Sequence, residues 1–199
     1  TAKDPHASIP MIDPKSAIEI TGLNKIDIEK GFTFVFWILN DHAQSQYKPS
    51  CLFLQDSKMN TINAFISSSY IFCYEKINEL NSTGKIDRLI PSNQWTFVAL
   101  TFDFKSPSIS YLIPTFGVHS MDPMEYIPMS FQPGPITCKI GGTTENSVKS
   151  DCISQIATFG MFNPLDQDSI TILSQMGPRG IGTLPKQPLF YYTVNENSG

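Results

Sequence analysis

The chain has few charges and almost no arginine. Lys, Arg, Asp and Glu together make up 16% of its 199 residues, well under the roughly 25% of an average globular chain. The arginines are Arg88 and Arg179, the lysines are scattered, and the net charge is -4. Nucleic acid and anionic membrane surfaces call for a basic stripe that releases counterions, and the sequence has none. No hydrophobic run is long enough to span a bilayer. The most apolar stretch, residues 32–39, is eight residues and contains Thr33, against the ~20 that a spanning helix needs. Direct membrane insertion is therefore not expected. The opening TAKDPHASIP has no apolar signal-peptide core.

Motifs for chemistry are missing too. There is no GxSxG elbow, and no GK[ST] follows a glycine run, so neither a hydrolase serine nor a P-loop is present. His6, His42 and His119 lie far apart, and none has a second ligand at metal spacing. Sandwich glucanases place two carboxylates on alternate residues of one strand. Here that spacing occurs at Asp27 and Glu29, in a polar connection, and at Asp166 and Asp168, where a helix opens. Asp103 and Asp151 have no such partner. The expectation is a protein that is not an enzyme and holds no metal or cofactor.

The apolar residues that are present have a distinct character. The chain carries 23 Ile and 14 Phe against 12 Leu and 7 Ala, with 15 Pro and 12 Gly between them. Such β-branched and aromatic types favour strands over helices. Short strands are expected at residues 16–20, 32–39, 51–55, 61–67, 70–75, 95–104, 108–113, 136–140 and 153–159, with a turn at 81–84. Residues 32–39 and 95–104 are apolar on both faces, as a strand packed on both sides would be. Trp37 and Trp95, in the middle of these strands, read as packing residues. One helix is expected over 165–176, capped by Asp166 or Asp168, with Ile170, Leu173 and Met176 on one face and Gly177-Pro178 as its stop. The pattern gives an all-β fold, a two-sheet antiparallel sandwich with one short late helix.

Residues 1–15 read as a lead-in and 16–178 as the sandwich. Residues 179–199 read as an extended tail, in which Phe190, Tyr191 and Tyr192 are too apolar to stay in water. That tail is expected to dock on the sandwich or on a neighbouring domain. Ligand loops gather at the ends of sandwiches, and two polar stretches suit that role: Asn40, Asp41 and His42, and Thr143, Thr144 and Glu145. Asn81-Ser82-Thr83 is a glycosylation sequon placed in the expected turn. Cys51, Cys73, Cys138 and Cys152 form no CxxC. They read either as small buried hydrophobes in a reducing compartment or, for Cys138 and Cys152, as a pair across a hairpin.

Several of these stretches carry a family likeness. GFTFVFWIL at 31–39 resembles the early core strand of concanavalin A-like sandwiches, the laminin G and pentraxin superfamily. NQWTFVALTFD at 93–103 resembles their mid-domain strand. CKIG at 138–141, ISQIATFGMF at 153–162 and QMGP at 175–178 resemble the concanavalin A-like domain of large BEACH-domain proteins, the neurobeachin relatives. The likeness covers roughly residues 16–180, with Met176 where that subgroup tends to have Leu. It implies a jelly-roll domain of a large cytoplasmic protein, a noncatalytic scaffold in membrane traffic that contacts a protein partner or a neighbouring domain. The alternative it leaves open is a secreted or cell-surface glycan-binding domain of laminin G type, calcium-dependent and with Asn81 glycosylated. The acidic loops in which pentraxins hold calcium have no counterpart here.

Overall fold

The structure, a computed structural model, describes residues 17–39, 50–66, 71–77, 80–86, 94–103, 108–113, 117–120, 131–141 and 155–193. Among them the chain forms β1 (Ala17–Ile20), β2 (Gly31–Leu39), β3 (Ser50–Gln55), β4 (Thr61–Ile66), β5 (Ile71–Ile77) and β6 (Leu80–Ile86). It continues through β7 (Trp95–Asp103), β8 (Ser108–Ile113), β9 (Gly117–Ser120), β10 (Thr137–Gly141) and β11 (Gln155–Phe162), then α1 (Gln167–Gln175) and β12 (Phe190–Tyr192). A single 3-10 turn at Lys25–Ile28 precedes β2. The strands make two six-stranded sheets, ordered β1-β10-β3-β4-β5-β6 and β12-β11-β2-β7-β8-β9, antiparallel at every pairing. The fold is an all-β two-sheet sandwich.

The core lies between the sheets and follows the strand period of two. Phe32, Phe34, Phe36 and Ile38 of β2 share it with Val98, Leu100 and Phe102 of β7. Leu52, Leu54, Ile62, Ala64, Cys138 and Ile140 come from the opposite sheet. Phe32 pairs with Phe102 across the ladder, their rings stacked 4.8 Å apart. Each such buried side chain contributes about 2–3 kcal/mol relative to an exposed one.

The other residues of the same strands are largely apolar as well, with Thr33 and Thr101 sharing a 3.0 Å hydroxyl bond among them. Val35, Phe97, Ala99 and Phe162 form a second cluster on the outer face of the second sheet, where Ile170 and Leu173 of α1 cover them. Asp166 starts the helix by accepting a 2.7 Å bond from the Ser169 N–H, and Gly177 leaves it at φ 77. On the chain from there through β12, Leu184 and Tyr191 pack on the same outer cluster. The Thr158 hydroxyl donates to the Pro178 carbonyl at 2.7 Å, and the Leu189 N–H donates to the Met161 carbonyl at 2.7 Å. Phe190 packs against the inter-sheet core while Tyr191 packs on the outer cluster.

Two glycines set close approaches. Gly31, at φ 105, lies so near Phe102 that a Cβ would run into its carbonyl oxygen. At Gly160 a Cβ would stand 2.6 Å from the Tyr191 ring, so the bare backbone makes the notch that receives β12. A register shift between Ile156 and Phe159 marks a bulge in β11. Ala157 then joins Trp95 on the outer side while Thr158 reaches Pro178, two consecutive residues serving one face.

One expectation is corrected. Residues 81–84 are not a turn but part of β6, Asn81 pairing with Lys76 and Gly84 with Cys73. Asn, Ser, Thr and Gly favour turns locally, yet a full ladder to β5 outweighs that preference. The pairing of Ile77 with Leu80 leaves the connection at 78–79. The sequon therefore sits on the outermost strand of the first sheet.

Cutting the chain after Gly177 removes β12 and uncovers the β11 edge with Phe159 and Phe162. The truncated protein is expected to melt lower by roughly 10 °C and to aggregate through the open edge. Differential scanning calorimetry and light scattering check both.

Candidate functional site

Asn40, Asp41, His42, Thr143, Thr144 and Glu145 all lie outside the described residues. The strands that flank them are described. β2 ends at Leu39, which pairs with Trp95 at the start of β7 and with Gln155 at the start of β11. In the other sheet β3 begins at Ser50, and β10 ends at Gly141 opposite Ala17. Segment 40–49 thus joins the two sheets at the same end where 142–154 joins them. The two candidate loops leave one rim of the sandwich.

Tryptophans anchor that rim. Trp95 is buried against Ala157, with Trp37 and Leu39 beside it. Trp37 is half-buried and tilts against Phe97 at 5.5 Å between ring centroids. Both indoles lie on the outer face rather than between the sheets, because they alternate with Phe36, Ile38 and Val98. They brace the strands from which the loops depart.

The opposite end contains a site that sequence reasoning missed. Asp56 is 5% exposed, and its carboxylate accepts four hydrogen bonds. The Lys58 and Asn60 N–H groups donate to Oδ1 at 2.8 and 2.9 Å. The Asn60 side-chain amide and the Gln132 N–H donate to Oδ2 at 2.6 and 2.7 Å. A buried carboxylate is tolerated when its lone pairs are filled in this way. Asp56 clamps the β3–β4 turn to Gln132. The local signal was an Asp beginning a five-residue link between two strands, a common side-chain-capped turn.

Cys51 and Cys138 are free thiols buried in the inter-sheet core. Burial pushes both thiols up to about 12, and the Cys51 thiol donates to the Ala64 carbonyl at 3.2 Å. Cys152, the partner considered for Cys138, is outside the described residues. Burial also raises the Tyr191 hydroxyl, while the Ser169 N–H holds the exposed Asp166 carboxyl below the usual carboxylate value. Among the described residues no three His, Cys, Asp or Glu gather as a metal site, and no helix is long and apolar enough to cross a membrane.

No protein-family model and no curated protein matches the chain. Solved structures do. A botulinum neurotoxin type C structure, whose cell entry depends on interaction with two ganglioside molecules, superposes with a TM-score of 0.61 at 17% identity, over 80% of this chain and 39% of that one. The binding domain of botulinum neurotoxin DC in complex with rat synaptotagmin II gives 0.59 at 15% identity, over 80% and 40%. The same domain in complex with SialylT gives 0.56 at 13% identity, over 80% and 39%. This chain spans about two fifths of the length of these structures. At such identities the likeness shows a shared jelly-roll-like sandwich.

Replacing Asp56 by Ala strands the N–H groups of Lys58, Asn60 and Gln132 and is expected to cost about 3 kcal/mol; urea denaturation of the variant measures it. The raised thiols of Cys51 and Cys138 favour the protonated form in the folded state. Their contribution is complete below the unfolded thiol value of about 8.5 and is lost as pH climbs through the folded value of about 12. Stability measured from pH 8 to 11 should therefore fall, and less steeply in Cys51→Ala than in the parent once its lower starting stability is subtracted.

Proposed function

We propose that this domain is a noncatalytic recognition module of a larger protein, reading a glycan or a protein epitope at a cell surface. The observation that carries this reading is that the strands flanking segments 40–49 and 142–154 end at one rim of the sandwich. Loops on such a frame can vary without disturbing the core, which is the usual economy of binding domains. Support comes from the fold neighbours, which are binding domains and occur with SialylT or synaptotagmin II bound. Asn40, Asp41, His42, Thr143, Thr144 and Glu145 supply the polar groups that would contact the ligand. The Asn81 sequon on an edge strand suits an extracellular setting.

A second reading is a cytoplasmic scaffold in membrane traffic, as the BEACH-type patterns imply. Free, buried Cys51 and Cys138 suit a reducing compartment. The residues behind that likeness, such as Cys138, Ile140, Phe159 and Phe162, are fully buried. They determine the fold, and a core pattern carries little about partners.

Retention on an array of neutral and sialylated glycans, with and without calcium, tests the leading proposal. Saturable binding to at least one glycan is expected. It should be lost in the double variant Asp41→Ala, Glu145→Ala without a change in melting temperature. Failure to retain any glycan, together with a BEACH domain in the same reading frame, would favour the scaffold.

A further inference from the structure

Among the described residues the two sheets have four edge strands, and they are unequal. β1 and β9 are four residues each and β12 is three, whereas β6 is seven. A short edge offers another strand too few N–H and C=O groups to pair with, and a long edge needs a different safeguard. β6 reads LNSTGKI. It has no proline, and among the described residues β5 alone pairs with it. Lys85, one residue from its end, is a charge of the kind that guards edges. One residue from its start stands Asn81, followed by Ser82 and Thr83.

This is the one N-x-[ST] triplet in the 199 residues, and its middle residue is not proline. Strand register places it. Asn81 pairs with Lys76, which pairs with Thr61 of β4. Thr83 pairs with Tyr74, which pairs with Asn63. The core residues Ile62 and Ala64 belong to the alternate rows, so Asn81 and Thr83 share the face of the first sheet that is turned from the core. Thr61 also closes the turn held by Asp56. Asn81 therefore lies toward that end of the sheet and away from the rim of 40–49 and 142–154.

We propose that Asn81 carries an N-linked glycan that guards the long β6 edge against pairing with another chain. Such a glycan rests on the cell-surface setting proposed above, because its transfer takes place in the secretory pathway. The donor is an oligosaccharide linked through pyrophosphate to a lipid. The Asn81 amide nitrogen gives up one proton and bonds to C1 of the first sugar. The bond from C1 to the pyrophosphate oxygen breaks, and the lipid pyrophosphate leaves with that electron pair. Nothing is oxidised or reduced. The attached sugar is bulky and hydrated. A strand drawn up along β6 then meets sugar near one end and Lys85 near the other, two devices against edge pairing on one strand.

Peptide mapping of the protein isolated from the cells that make it tests the modification, and Asn81 is expected to be glycosylated. A bare Asn81 in a protein found at the cell surface would overturn this inference alone. A bare Asn81 in a protein found in the cytoplasm would overturn the proposed setting with it. Sedimentation velocity of the 199-residue chain, secreted from cultured animal cells, tests the guarding of the edge. The glycosylated chain is expected to stay monomeric. Asn81→Gln should associate at a concentration at least roughly tenfold lower, and so should the folded chain after its sugar is trimmed by an endoglycosidase. Thr83→Ser preserves the triplet and should keep both sugar and monomer. Asn81→Lys exchanges the sugar for a charge and should restore the monomer, which separates an open edge from a misfolded chain. Equal association with and without the sugar, or association that Asn81→Lys fails to reverse, would refute the guarding role. A glycosylated monomer that no glycan array retains counts against the recognition module and leaves the guarded edge standing.

Discussion

The second sheet cannot stand with one face in water. β2, β7 and β11 bury Phe32, Phe34, Phe36, Val98, Leu100, Phe102 and Phe159 on the side facing the first sheet. The same strands expose Val35, Phe97, Ala99 and Phe162 on the other side, unless something covers them. The hydrophobic effect acts on both faces alike, so the chain after β11 has to double back. α1 and the segment to β12 do this, and most of the local detail serves that cover. Asp166 starts the helix where Leu165 can donate to Thr33 at 2.9 Å. The bulge in β11 aims Thr158 at Pro178, and Gly160 makes room for Tyr191.

With the sheets fixed in this way, the two ends of the sandwich differ in kind. One end is tied by short bonds from Asp56 and Asn24 and by the backbone pair Ile136–Leu23 at 2.9 Å. At the other end, strands braced by Trp37 and Trp95 lead into the connections 40–49 and 142–154. The two ends are separated by the full length of the strands.

Much of this was legible in the sequence because strands write their burial in a period of two. Residues 32–39 and 95–104 read as apolar on both faces, and the structure supplies the reason: sheet on one side, helix and returning chain on the other. The helix was legible from Asp166, Ile170, Leu173 and Gly177. β6 was not, since Asn81, Ser82, Thr83 and Gly84 are turn formers and only the ladder to β5 makes them a strand. β9, four residues long, had too little pattern to register. Nor was Asp56 recognisable as a clamp, because one of its donors, Gln132, lies 76 residues away. For the candidate site, the polarity of Asn40 to His42 and of Thr143 to Glu145 marked connections, but that their flanking strands end at one rim came from strand pairing alone.

The direction of the terminal strands has a mechanical consequence. β1 and β12 are both edge strands, and the outer end of each points toward the loop rim. Their hydrogen bonds run perpendicular to the strands, as in any antiparallel pair. A load carried through both ends of the chain meets those bonds one at a time, peeling Ala17 from Gly141 and Tyr192 from Phe159 before any inner strand is stressed. The domain would yield to traction by unzipping at its margins, at low force, while the Phe-lined interior between β2, β7 and β3 stayed closed.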